Sequence, residues 1–104
     1  MFSDSYVTLS NDKASLACVD RDGMYYVHGS LYNDFNDLME IIFTNMDKLV
    51  FCNVDDKIEG FLIESGFVLG EFRDEIGDLK TAYVLPANIE KIPNYIKHYQ
   101  LQID

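Results

Sequence analysis

Three β-rich runs separated by tight-turn signals open the chain, and the hydrophobic period then changes abruptly at Asn33. That switch constrains the fold more than any other feature. Residues 6–9, 14–19 and 24–28 are rich in Tyr, Val, Leu and Thr and are divided by Asn11-Asp12 and Asp22-Gly23. Both pairs tolerate the positive φ that short hairpins demand, so the opening third is expected to form an antiparallel three-stranded meander. From Asn33 onward Phe35, Leu38, Met39, Ile42 and Met46 recur at helical spacing, behind Asn33 or Asp34 as cap. A carboxylate or amide there accepts from free backbone N–H groups of the first turn, which predicts a helix of about three turns.

The second half alternates again. Residues 48–54 form a short run with few polar side chains, the composition of a strand covered on both faces and central in its sheet. Asp55 or Asp56 caps a second helix with Ile58, Phe61 and Leu62 as its apolar stripe, and Gly66 supplies a left-handed stop. Residues 68–76 and 79–85 are expected to pair as a hairpin across Gly77-Asp78, ended by Pro86. In the tail, Ile92, Tyr95, Ile96 and Tyr99 fall at i, i+3, i+4 and i+7, which predicts a short amphipathic docking helix with Pro93 in its first turn. The expected fold is therefore α/β of the α+β kind: a mixed, mostly antiparallel sheet in the order β-β-β-α-β-α-β-β, plus a short C-terminal helix. One domain spans 1–104, with 86–104 as its C-terminal extension.

Charge limits the partners. The chain of 104 residues carries 18 acids against 8 bases, a formal net charge of −10. Residues 1–79 hold 16 of the acids and 5 of the bases (net −11), and 80–104 hold 2 acids and 3 bases (net +1). A negative field disfavours direct nucleic-acid or anionic-membrane contact, since both require positive charge on the protein, and it suits a basic protein surface. Cys18 and Cys52 sit in apolar runs without metal-ligand spacing, as reduced cysteines that act as small hydrophobes do. No charged and apolar leader opens the chain, and a cytoplasmic location is the expectation.

Asn53, the helix behind it, Phe61 and the closing Gly66-Phe67 resemble the later two thirds of the GNAT acetyltransferase fold, where an Asn ends a strand, a helix follows and Gly-Phe closes it. Tyr26-Val27-His28 is similar to the end of that family's central strand, so the resemblance covers residues 5–85. It implies acetyl-CoA as cofactor, N-acetyl transfer as activity, and a cofactor-side helix over 34–46. The departures fall on the chemistry. The family's Gln/Arg-x-x-Gly-x-Gly/Ala loop, whose glycines let backbone amides approach the CoA pyrophosphate, corresponds here to residues 29–37, with Gly29 as its sole glycine and no basic residue. Asp34 and Asp37 put negative charge where the pyrophosphate would sit. The family's proton-donating tyrosine aligns with Leu62, and its two early helices have no counterpart before Tyr6.

Candidate site residues follow from these positions. His28, at a strand end beside Gly29, is the candidate general base, because an imidazole titrates near neutral pH; His98 is a weaker one. Gly29, Ser30 and Asn53 are the candidate cofactor-binding residues. Asp20, Asp22, Asp34, Asp37, Asp55 and Asp56 have turn or cap roles and no EF-hand spacing, so no metal site is assigned. The tyrosines are expected mostly in or around the core. Glu71, Asp74, Glu75 and Asp78 alternate with Phe72 and Ile76, which predicts one acidic, solvated face on the last hairpin. Three functional readings result: a GNAT-like domain without acetyl-CoA chemistry, acting as an acidic protein-binding or regulatory module with no cofactor; a minimal acetyl-CoA-dependent N-acetyltransferase whose acceptor pocket a partner subunit completes; and an acidic decoy of nucleic-acid-binding proteins. Homo-oligomerisation is compatible with each.

Overall fold

A computed structural model of the chain describes residues 5–99. Strands β1 (Ser5–Ser10), β2 (Ala14–Arg21) and β3 (Met24–Tyr32) form the expected meander, followed by helix α1 (Phe35–Asn45), strand β4 (Leu49–Phe51), helix α2 (Asp56–Glu64) and the hairpin β5 (Val68–Arg73) and β6 (Leu79–Val84). A 3-10 helix at Pro86–Lys91 leads into a last strand, β7 (Tyr95–Tyr99). The seven strands make one sheet in the order β1-β2-β3-β4-β6-β5-β7. Only β3 and β4 run parallel; every other neighbouring pair is antiparallel. The α+β architecture is thus a mostly antiparallel seven-stranded sheet with a few helices.

Both helices lie on one face. Leu38, Ile41 and Ile42 of α1 and Ile58 and Leu62 of α2 pack on Leu16, Cys18, Val27, Phe51 and Tyr83 of the sheet. On the opposite face Met24, Tyr26, Val50, Val68, Phe72, Ala82 and Val84 are covered by Ile92, with Ile89 and Tyr95 at the margin. Central β4 is buried at all three positions, as its apolar composition predicts. Gly66 has φ +94°, and the Phe67 N–H closes the end of α2 on the Leu62 carbonyl at 2.9 Å, the glycine-stopped helix end read from the sequence.

Two expectations are corrected here. The tail is not an amphipathic helix: Asn94 takes φ +59° behind Pro93, which ends helical geometry, and residues 95–99 instead pair antiparallel with β5. Edge strand β5 gains a hydrogen-bonded neighbour, and that tertiary gain outweighs the helical spacing of four apolar side chains. Tyr95 lies close against Gly70, where an added Cβ would come within 2.9 Å of its ring. Residues 100–104 of this extension lie outside the described residues. The alternating acidic face on the last hairpin also ends early. β5 stops at Arg73, and Asp74 to Asp78 form its turn, with the Asp74 carboxylate accepting from the N–H groups of Ile76 and Asp78. Ile76 is 82% exposed at that turn rather than on a buried face.

Candidate functional site

The site foreseen from the sequence lies where β3 and β4 part. β4 ends at Phe51 opposite Val27, while β3 runs on to Tyr32. The pairing of β2 with β3 slips at this point: Cys18 faces Val27 and Ala17 faces Gly29, which leaves His28 as the extra residue of a β-bulge. A bulge bends its strand and sharpens the local twist, turning β3 away from β4. Asn53 holds the fork. Its side-chain amide donates to the His28 carbonyl at 3.1 Å and its backbone N–H to the Val27 carbonyl at 3.4 Å, beside a 2.9 Å bond from the Cys52 N–H to the same Val27 oxygen.

The structure therefore brings His28, Gly29 and Asn53 together, with Ser30 next along the same strand. The His28 imidazole is exposed and has no hydrogen-bond partner among the described residues, so nothing orients it as a base. Gly29 sits opposite Ala17, whose Cβ would be 3.7 Å from a Cβ added to the glycine, an ordinary contact rather than a cradle. Asn53 is committed to the strand fork. His98 lies far along the sheet on edge strand β7, paired with Gly70.

Beyond the fork, side chains join the two elements. The Tyr32 hydroxyl donates to the Asp55 carboxylate at 2.6 Å, joining the end of β3 to the start of α2. Asp55 also accepts from the Ile58 N–H at 2.8 Å and so caps α2. Burial raises the Asp55 pKa, but the bonds from Tyr32 and from the backbone N–H groups of Ile58 and Lys57, with the Lys57 charge, outweigh it and hold the carboxyl below its ordinary value. The same hydrogen bond from the other side pushes the Tyr32 phenol up. Next to this bridge runs a ladder of edge-to-face rings: Tyr32 on Phe35 at 5.5 Å, Phe35 on Phe61 at 6.0 Å and Phe61 on Phe43 at 5.3 Å between centroids. Such pairs add roughly 0.5–1.5 kcal/mol each beyond area burial, so Phe61 of α2 is held between Phe35 and Phe43 of α1.

The N-terminus of α1 is likewise occupied. Asp34 accepts from the Asn36 N–H at 3.0 Å, and the Asp37 N–H turns back to the Asp34 carbonyl at 3.1 Å. Asn11 in the first hairpin turn accepts from the N–H groups of Lys13 and Ala14 and donates to the Asp37 carbonyl at 2.9 Å, tying the β1-β2 turn to α1. The cleft of about 570 Å³ between them is lined by Asp12, Asp34 and Asp37 against Lys13 alone. Its charge disfavours an anion. Leu62, at the family's acid position, is 0% exposed within the core.

Sequence reasoning missed the Tyr32–Asp55 bridge and the ring ladder. Tyr32 read as one tyrosine among several and Asp55 as a cap; only the parallel pairing of β3 with β4, which sets the end of β3 beside the start of α2, makes them neighbours. It also missed the hydrogen bond from the Tyr83 hydroxyl on β6 to the Glu59 carboxylate on α2. Burial, that hydrogen bond and the Glu59 charge push the Tyr83 phenol up to about 12. Among the described residues no three His, Cys, Asp or Glu side chains are grouped to hold a metal ion, and no helix there is long and apolar enough to cross a membrane. No family model matches the chain, and neither a curated protein nor a solved structure matches it.

Proposed function

We propose that this chain is a GNAT-like domain that does not use acetyl-CoA and acts as an acidic protein-binding or regulatory module of the cytoplasm. The GNAT-like half rests on the order of elements and on the splay of β3 from β4 at His28, the kind of opening through which such a fold admits CoA. The non-catalytic half rests on one observation above all: the Asp34 carboxylate takes the helix-start position that a pyrophosphate would need. The Tyr32–Asp55 bridge and Leu62 support it further, the first by closing the mouth of the splay and the second by leaving no hydroxyl at the acid position.

The binding half rests on charge. α1 and α2 begin at the same end of the sheet with Asp34 and Asp37 on one and Asp55, Asp56 and Glu59, against Lys57, on the other, so a basic partner surface meets a mainly negative field there. Two calorimetric titrations test the reading. Acetyl-CoA is expected to give no saturable heat. A Lys/Arg-rich peptide is expected to bind, and to bind more weakly as salt is raised. Micromolar acetyl-CoA affinity overturns the first half; no peptide binding at low salt, or binding indifferent to salt, overturns the second.

A further inference from the structure

The outer surface of the two helices carries an apolar seam. On α1, Phe35, Met39 and Phe43 recur every four residues and form one stripe about two turns long. Phe35 and Phe43 both touch Phe61 of α2, so the stripe runs along the flank that meets the second helix. Phe43 remains 62% exposed in spite of that contact. Gly60 stands one position before Phe61, at the exposed crest of α2 opposite the buried Ile58 and Leu62. A glycine inside a helix weakens it relative to alanine. Here the fold gives it no cause: its φ is not positive, and an added Cβ would meet no atom within 4 Å. Bare backbone beside an exposed ring is what admits the close approach of a second main chain.

Charge specifies what that second chain carries. Glu40 and Asp47 lie three residues before and four after Phe43, and Glu64 lies three after Phe61, the spacings that set side chains beside one another on a helix. None of these three carboxylates makes a hydrogen bond or ion pair among the described residues. Lys57, four before Phe61, is the one base at these spacings; Lys48, five beyond Phe43, falls off the stripe. Residues 34–64 as a whole hold eight acids against two lysines (net −6), a field that repels an acidic segment or a second copy and attracts a basic one. On the reading that this chain binds a basic partner, we infer that the α1-α2 seam docks a basic amphipathic helix. The apolar face of that helix covers Phe43 and Phe61, its backbone passes over Gly60, and its Lys and Arg side chains reach Glu40, Asp47 and Glu64. A helix suits the seam because apolar anchors a turn apart, and not a sheet edge, make the contact.

Calorimetry with three peptides of about 18 residues tests this surface. The first is a Leu/Lys peptide with Leu at i, i+3, i+4 and i+7, the second has the same composition in shuffled order, and the third is its Leu/Glu counterpart. The first is expected to bind at least about tenfold more tightly than the second, and the third not to bind. Phe43→Ala, folded by circular dichroism, is expected to weaken the first peptide by at least about tenfold. Gly60→Gln gives the converse pairing of effects: a urea midpoint at or above that of the wild type, because glutamine is the better helix former, with a similar loss of peptide affinity. Equal binding of the ordered and shuffled peptides, or either folded variant binding as the wild type does, would overturn the seam and leave a basic partner elsewhere on the chain. Binding of neither Lys peptide would overturn both. A wild-type chain that sediments at twice 12.0 kDa, and returns to 12.0 kDa as Phe43→Ala, would give the seam to a second copy and overturn the assignment as well.

Discussion

At the scale of single residues, the structure ties side chains together in ways with measurable consequences. Gly70 leaves room for the Tyr95 ring where a Cβ would lie 2.9 Å away. Gly70→Ala should therefore displace Tyr95, loosen β7 from β5 and cost about 1–3 kcal/mol, read as a lower midpoint in urea unfolding and faster amide exchange in residues 95–99. Tyr83 makes a pH prediction. Its folded pKa, about 12, lies above the ordinary 10.0, so between these values the unfolded chain has released a proton that the folded chain retains. The contribution is full below pH 10 and is lost as pH rises towards 12. Tyr83→Phe should flatten the stability curve across that window and remove about 1 kcal/mol at neutral pH. Burial likewise pushes the Cys18 and Cys52 thiols up to about 11. Both are un-ionised at neutral pH, and iodoacetamide should label them far more slowly in the native chain than in urea. Labelling as fast as that of a free thiol contradicts their placement.

At the scale of elements, caps and strands were legible and docking was not. Asp34, Asp55 and Gly66 mark helix ends through interactions within a few residues of chain, which is why spacing alone located Gly66 and narrowed the caps to Asn33 or Asp34 and to Asp55 or Asp56. Asp34→Ala removes only a cap and should cost about 1 kcal/mol, whereas Asp55→Ala removes a cap and the Tyr32 partner and should cost more. Chemical denaturation of the two variants side by side checks that order, and equal losses would mean that the bridge contributes nothing. The tail shows the converse. Ile92, Tyr95, Ile96 and Tyr99 have helical spacing, yet two of these positions, Ile96 and Tyr99, are exposed in the strand that forms. What decided the outcome was a vacant edge on β5 and a left-handed Asn94 behind Pro93, and the first of these is a property of the assembled sheet. The acidic alternation after Glu71 failed for a similar reason, since Asp74 serves the turn by accepting from two backbone N–H groups.

At the scale of the whole molecule, two interactions distant in sequence shape the site. His28, Gly29, Ser30 and Asn53 were traceable to one place because a strand end, a bulge and the following strand are consecutive elements. Their surroundings were not traceable, because these depend on Asn53 reaching the His28 carbonyl and on Tyr32 reaching Asp55 across 23 residues. The proposal that this chain binds a basic partner and does not use acetyl-CoA rests on its net charge of −10 and on the carboxylates that cap both helices at one end of the sheet. The most direct test follows the backbone N–H signals of Gly29 to Asn36 by nuclear magnetic resonance while acetyl-CoA is added. The proposal that Asp34 and the Tyr32–Asp55 bridge leave no place for acetyl-CoA predicts that these signals stay in place at every concentration. Saturable shifts centred on Gly29, Ser30 and Asn36 would contradict it, and would place the cofactor where the carboxylates now stand.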